Sequence, residues 1–143
     1  VILKAYDKWK EESCKKLNGI FAYAVWDDES KELFLCRDRI GVKPLYFTHK
    51  DGLFAFASRI KSLLLIPEIS TDVDENGLNE IFMLGPAKTI GTAVFKDIKE
   101  LPPAAYMKFS GGKYEIKELS TPTFLLPMLS KDNLSQMCRF AHF

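Results

Sequence analysis

The spacing of apolar residues at the N-terminus predicts an amphipathic helix. Five residues recur three or four positions apart: Ile2, Tyr6, Trp9, Ser13 and Leu17. This spacing places side chains on one face of an α-helix, and lysines and glutamates occupy the opposite face. The pair Asn18-Gly19 predicts the end of the helix, since glycine readily adopts the left-handed conformation at a helix C-terminus.

The hydrophobic period then changes, and extended segments follow. We predict two strands, at 20–26 and 32–37, joined by an acidic turn at 27–30. The first strand is apolar on both faces, as expected of a strand buried between two layers. Two further strands, at 45–48 and 53–57, flank an Asp-Gly pair that favours positive φ angles in a tight turn.

Short helices are predicted next. Ser58 can cap one that ends near Pro67, and either Asp72 or Asp74 can cap another, which Gly85-Pro86 ends. The apolar stripe of the second helix consists of Leu78, Ile81 and Phe82.

The remaining pattern predicts a short extended piece at 93–95 and a rigid turn at Pro102-Pro103. A last hairpin is predicted from 105–109 and 113–119, around Ser110-Gly111-Gly112. We therefore predict a partial domain over residues 1–118. Residues 119–143 form a C-terminal tail whose character the sequence does not define.

Composition narrows the functional classes. The chain has 143 residues, nearly half of them apolar, and a net charge of +1. A balanced charge argues against a nucleic-acid partner, which needs a clustered excess of Lys and Arg. No apolar run approaches the ~20 residues of a membrane-spanning helix. We expect no membrane association and a cytoplasmic location.

Cysteine and histidine residues offer little catalytic signal. The three cysteines, Cys14, Cys36 and Cys138, form no CxxC pair, and the two histidines, His49 and His142, are far apart. We interpret Cys14 and Cys36 as small buried hydrophobic residues without activated thiols, and His49 as a surface turn residue.

Four motifs follow one another in an order known from one enzyme family. Residues 17–27 read LNGIFAYAVWD, and residues 37–47 read RDRIGVKPLYF. Residues 56–63 read FASRIKSL, and residues 92–103 end in Leu-Pro-Pro. These segments resemble the corresponding motifs of class II glutamine amidotransferases, and the resemblance covers roughly residues 1–118.

The third motif indicates a branch of that family. Ile60-Lys61 and the Pro-Pro motif resemble the asparagine synthetase branch. Sugar-phosphate aminotransferring relatives usually carry Ser-Asp where asparagine synthetases carry Ser-Glu-Ile-Lys. Arg59 stands where that branch usually has Glu. This substitution reverses a charge and calls into question any ion pair that the family forms there.

The resemblance implies an α+β fold with antiparallel sheets, part of a four-layer αββα sandwich of the N-terminal-nucleophile hydrolase type. In that family an N-terminal cysteine attacks the side-chain amide of glutamine, and an Asn side chain and a Gly amide stabilise the oxyanion. Arg and Asp side chains bind the substrate. The released ammonia passes to a second domain, where ATP, with magnesium implied, activates aspartate.

None of these catalytic residues has a counterpart in the sequence. Residue 1 is Val, and the family's catalytic and substrate-binding positions lie upstream of the matching segment. Asn18-Gly19 belongs to a different motif, and the Ser110-Gly111-Gly112 turn lacks the Asp-Ser of an ATP-binding loop. We interpret Arg37-Asp38-Arg39 as structural. We therefore expect no catalytic, cofactor-binding or metal-ligating residue and no cofactor in this chain.

Three hypotheses of function remain. The first is a fragment of a glutamine-dependent asparagine synthetase, inactive alone, whose parent uses glutamine as substrate. The second is a stand-alone interaction or scaffold module with the amidotransferase fold. The third is the amidotransferase part of a sugar-phosphate aminotransferring enzyme. Since upstream strands are expected to be missing, we also predict self-association or pairing with the missing half.

Overall fold

The computed structural model describes residues 1–84 and 93–119, which form an α+β fold with antiparallel sheets. The helices are α1 Ile2–Trp9, α2 Ser13–Lys16, α3 Ile60–Leu63 and α4 Glu75–Leu84. The strands are β1 Ala22–Asp27, β2 Glu32–Arg37, β3 Tyr46–Lys50, β4 Leu53–Ala57, β5 Lys99–Glu100, β6 Ala105–Ser110 and β7 Lys113–Glu118.

The strands of the described residues form two sheets. One has four strands in the order β1-β2-β6-β7, and the other has three in the order β4-β3-β5. Strand β2 lies inside the first sheet, where Val25 faces Phe34 on one side and Tyr106 faces Cys36 on the other. Strands β2 and β6 pair with each other, and the segment that carries β3, β4 and β5 lies between them in the sequence.

Three apolar clusters set the order of the layers. The first lies between the N-terminal helices and the outer face of the four-stranded sheet, and it includes Tyr6, Cys14 and Phe34. The second lies between the two sheets and includes Leu35 and Phe47. A third covers the other face of the three-stranded sheet, beneath α3. The complete four-layer sandwich stays a prediction.

The prediction of one continuous N-terminal helix is wrong, because the helix is interrupted at Lys10. Helix α1 ends at Trp9, a 3-10 turn spans Lys10–Glu12, and α2 follows. Lys10 has a positive φ of 47°, which interrupts the helix. Its Nζ lies 3.0 Å from Asp27 Oδ2. This contact with the β1–β2 turn, which sequence periodicity does not report, accompanies the break.

The prediction that β1 is buried on both faces is also wrong. Among the described residues, strand β1 lies at the edge of its sheet, and its second face is covered only near Ala22. Val25 is buried against the helices, whereas Ala24 is exposed and Trp26 is 55% exposed. The second sheet packs over β2 and β6 but does not cover this part of β1, so an apolar strip remains open to solvent.

The remaining strands largely confirm the prediction. Strands β2 and β4 have the predicted bounds, β6 and β7 form the last hairpin, and Asp51 and Gly52 have positive φ angles in the β3–β4 turn. Strand β5 was not predicted, because two residues give no periodicity. No helix among the described residues is long and apolar enough to cross a membrane.

The helix caps differ in part from the prediction. Arg59, rather than Ser58, is the N-cap of α3, and Arg59 is exposed. Asp74 is the cap of α4, since its Oδ2 accepts a bond of 3.1 Å from the amide of Gly77. Phe82 is 80% exposed, so that part of the predicted apolar stripe is not buried. The predicted helix end at Gly85-Pro86 and residues 120–143 lie outside the described residues.

Replacing Phe34 by Ala should lower the free energy of unfolding by about 3–5 kcal/mol. The Phe34 ring is fully buried and packs against two other rings. Its centroid lies 4.9 Å from that of Tyr6 and 5.5 Å from that of Tyr106. Urea denaturation measures the change. Ile40→Ala, at a side chain that is 77% exposed, is the control and should change stability by less than about 0.5 kcal/mol. Equal losses for both variants would contradict the assignment of Phe34 to the core.

Candidate functional site: a buried ionic loop between the sheets

The densest polar network of the described residues surrounds Arg37, at the end of β2. Its guanidinium donates three hydrogen bonds to carbonyl oxygens, at 2.7 Å to Lys43, 2.7 Å to Gly41 and 2.6 Å to Leu101. Its Nη2 also lies 2.9 Å from Glu100 Oε1, and both side chains are about 5% exposed. Arg37 therefore joins the four-stranded sheet to the segment that carries β5.

Asp38 organises the loop that follows. Its Oδ1 accepts hydrogen bonds from the amides of Ile40, Gly41 and Val42 at 2.7–3.2 Å, and its Oδ2 accepts one from Lys43 at 3.2 Å. Burial by itself would raise the pKa of this carboxyl group. The four amide donors outweigh burial and hold the pKa below its ordinary value, because they stabilise the charged form.

The main chain of Asp38 extends the network to two more segments. Its amide donates to the carbonyl of Phe21 at 2.9 Å, and its carbonyl accepts from the amide of Ala104 at 2.9 Å. Gly41 has a φ of 73°, and a Cβ there would lie 2.7 Å from Pro103 Cγ. Only glycine fits this position without displacing the Pro-Pro turn.

This network confirms the structural interpretation of Arg37-Asp38. The donors of Arg37 and the acceptors of Asp38 are engaged within the protein, so these groups order the loop. Arg39 has a separate role, since its Nη2 donates to the carbonyl of Lys15 at 2.9 Å. That bond ties the end of α2 to the same loop.

A second cluster brings together Cys14, Cys36 and Tyr23. Both thiols are buried, as predicted, and Cys14 Sγ lies 3.6 Å from the hydroxyl of Tyr23. The burial predicted for both thiols is confirmed, and their lack of reactivity stays a prediction. A hydrogen bond with Cys36 lowers the pKa of Cys14, while the same bond and burial raise the pKa of Cys36. The cysteines are distant in sequence, and so this pairing has no sequence signal.

Two open grooves, both lined by Lys10, lie beside α1 and the β1–β2 turn. Their volumes are about 320 and 360 Å³, and Tyr6 and Asp27 line both. Their charges largely pair with one another, as Lys108 does with Glu32 at 3.4 Å. Within residues 1–84 and 93–119, no group of three His, Cys, Asp or Glu side chains is arranged to hold a metal ion.

The other residues singled out from the sequence lie in loops or on the surface. Asn18-Gly19 follows α2, and Gly19 has a φ of 142°. Ser110-Gly111-Gly112 joins β6 to β7. His49 is exposed as predicted but lies in β3 rather than in a turn, with its ring edge-on to Phe109 at 5.6 Å.

Comparison with known proteins identifies the domain. Residues 1–120 match the family model described as glutamine amidotransferase domain. The chain belongs to this family. The resemblance seen in the four sequence motifs is thereby confirmed.

Several relatives of this amidotransferase domain are named asparagine synthetases. The chain is 50% identical over 110 residues to asparagine synthetase [glutamine-hydrolyzing] 3 of Bacillus subtilis (strain 168), covering 77% of this chain and 18% of that protein. It is 30% identical over 120 residues to putative asparagine synthetase [glutamine-hydrolyzing] 2 of Methanocaldococcus jannaschii, covering 82% of this chain and 23% of that protein. The chain thus spans about a fifth of the length of these relatives.

Sequence reasoning missed one residue of the buried network. Glu100 pairs with Arg37 across the interior, although glutamate is rarely buried. The available signal was its place directly before Leu101-Pro102-Pro103, in a segment that resembles a family motif.

Replacing Asp38 by Asn should lower the free energy of unfolding by about 2 kcal/mol at pH 7, since it removes a charged acceptor from four amides. The folded-state pKa of Asp38 is depressed, so its contribution is present above the unfolded pKa and is lost as pH falls through the folded pKa. The difference from the wild type should therefore shrink below about pH 4.

Denaturant titrations between pH 3 and pH 7 measure this effect. Asp7→Asn is the matched control, because Asp7 is exposed on α1. A difference for Asp38→Asn that stays constant over this pH range would contradict the assigned charge.

Proposed function

We propose that this chain is part of a glutamine-dependent asparagine synthetase. In the intact protein its glutaminase domain would hydrolyse glutamine. The released ammonia would serve the ATP- and magnesium-dependent amidation of aspartate in a second domain, in the cytoplasm. The observation that carries the proposal is the 50% identity to an asparagine synthetase along 77% of the chain.

The structure suggests what these residues contribute. The Arg37–Glu100 pair and the Asp38 loop fix the two sheets relative to each other. Covalent catalysis needs its reacting groups held in a defined geometry. The described residues would supply the rigid framework for a site whose catalytic groups come from elsewhere in the protein.

The chain alone would not hydrolyse glutamine. The family's nucleophile is an N-terminal cysteine, and the motifs of this sequence match none of the family's catalytic residues. Cys14 and Cys36 are buried within the first apolar cluster, out of reach of a dissolved substrate. The names of the relatives favour the synthetase over a sugar-phosphate aminotransferring enzyme or a scaffold module.

A chimera tests the proposed function. The matching 110 residues of the Bacillus subtilis relative are replaced by those of this chain. Asparagine formation from glutamine, ATP and aspartate should stay within about tenfold of the rate of the unmodified relative, which corresponds to about 1.4 kcal/mol in the activation barrier. Asparagine is measured by chromatography.

The same chimera with ammonia in place of glutamine is the internal control. If asparagine forms from ammonia but not from glutamine, the transplanted segment does not support glutaminase function and the proposal fails. A chimera in which the N-terminal cysteine is replaced by Ala is the matched negative control. It should lose only the glutamine-dependent reaction.

We further propose that the open face and edge of β1 mediate pairing with another chain. In the part of the chain that the structure describes, strand β1 ends its sheet, and Ala24 and Trp26 expose apolar surface there. An unpaired strand edge beside apolar side chains favours association with a further strand. In the isolated chain the partner would be a second copy. In the intact protein it would be the missing part of the domain.

Trp26→Lys should weaken self-association at least about tenfold, because a lysine on an edge strand opposes further pairing. Sedimentation velocity over a range of concentrations measures the dissociation constant. Leu65→Lys is the matched control, since Leu65 is 77% exposed and lies beyond α3. A wild-type chain that stays monomeric at every concentration would refute the pairing.

A further inference from the structure

The sequence contains two Asn-Gly pairs, and their surroundings in the structure are opposite. Asn18-Gly19 lies in the loop between α2 and β1, and both residues are exposed. Asn76-Gly77 lies in the first turn of α4, where Gly77 is buried. In an Asn-Gly pair the glycine amide reaches the preceding side chain most easily, because glycine has no Cβ to obstruct the approach. The two pairs should therefore differ in chemical reactivity.

The main-chain amides of the two glycines have different freedom. Gly19 has a φ of 142°, and a Cβ built on it would meet nothing within 4 Å apart from its two neighbours in the chain. No carbonyl among residues 1–84 and 93–119 accepts a hydrogen bond from the Gly19 amide. The Gly77 amide, in contrast, donates to Asp74 Oδ2 at 3.1 Å, and a Cβ there would lie 3.0 Å from Val94 Cα. The Gly19 amide is thus open to attack on its neighbour, whereas the Gly77 amide is engaged.

We propose that Asn18 is a site of spontaneous deamidation in the folded protein, through a cyclic imide formed with Gly19, and that the fold protects Asn76. The products are aspartate and isoaspartate at position 18. This inference does not depend on glutamine hydrolysis or on the proposed parent enzyme.

The reaction needs only water. The Gly19 nitrogen attacks the side-chain Cγ of Asn18, and the bond from Cγ to the side-chain nitrogen breaks. That nitrogen takes up the proton lost by the Gly19 amide and leaves as ammonia. Water then opens the imide at either of its two carbonyl carbons, with hydroxyl added to carbon and a proton to the Gly19 nitrogen. Opening at Cγ gives aspartate, and opening at the main-chain carbonyl gives isoaspartate.

The modification falls in a short connection that is held on both sides. Phe21 accepts a hydrogen bond of 2.9 Å from the amide of Asp38, and Lys15 accepts one of 2.9 Å from Arg39 Nη2. Isoaspartate at position 18 adds one carbon to the main chain between these two contacts. The reaction would thereby lengthen the link between α2 and the loop that Asp38 organises.

The test incubates the full folded chain in heavy-oxygen water at mildly alkaline pH, followed by tryptic digestion in ordinary water and mass spectrometry. Peptide 17–31 contains Asn18, and peptide 62–88 contains Asn76. Incorporation of heavy oxygen marks each residue deamidated during the incubation. Deamidation should be at least about tenfold faster at Asn18 than at Asn76, because Asn76 reacts only after local opening of α4. In guanidinium chloride the two rates should come within about threefold of each other.

Three variants provide the controls. Asp74→Ala releases the Gly77 amide and should raise the rate at Asn76 at least about threefold, with no change at Asn18. Gly19→Ala should slow the reaction at Asn18 at least about tenfold. Asn18→Gln keeps Gly19 in place and should be equally slow at position 18, since the longer side chain must close a larger ring.

Equal rates at Asn18 and Asn76 in the folded wild-type protein would overturn the proposal. So would a rate at Asn18 that rises more than about tenfold on denaturation, because the folded loop would then hold the reacting atoms apart.

Discussion

The interaction on which the described fold depends is the buried pair of Arg37 and Glu100. It joins the last residue of β2 to the last residue of β5, and so it sets one sheet against the other. A buried ion pair gains little over well-packed apolar groups, but loss of one partner leaves an uncompensated charge. The planar guanidinium also binds three carbonyl oxygens, which an ammonium group could not do with the same geometry. The pair therefore specifies the arrangement of the sheets more than it adds to stability.

The layers follow from this constraint. With the sheets fixed, the interior-facing residues of β2 and β6 meet those of β3, and the outer faces receive the helices. The arrangement leaves β1 asymmetric, with Val25 covered and Trp26 open. The packing between the two sheets therefore reaches Ala22 at the start of β1 but not Trp26 near its end.

Local sequence signals predicted the elements that depend on local physics. Strands β2 and β4 were predictable because turn residues bound short apolar runs, and the caps and turns at Asp74 and Asp51-Gly52 act within a few residues. The break at Lys10, the edge position of β1 and the pairing of Cys14 with Cys36 depend on partners distant in sequence. Glu100 shows the same limit, since a charged residue gives no periodic sign of burial. The structural role of Arg37-Asp38 was predictable from the motif, but its partners were not.

The insertion of β3–β5 between β2 and β6 has a consequence for folding kinetics. Cys36 pairs with Tyr106, so the central contact of the four-stranded sheet closes a loop that contains the whole second sheet. Long-range pairing of this kind slows folding, because the entropy of loop closure is lost before the contact is formed. The β3–β4 hairpin is local and can form early. Docking of β6 beside β2 should then be the slow step, and refolding should be governed by this closure rather than by helix formation.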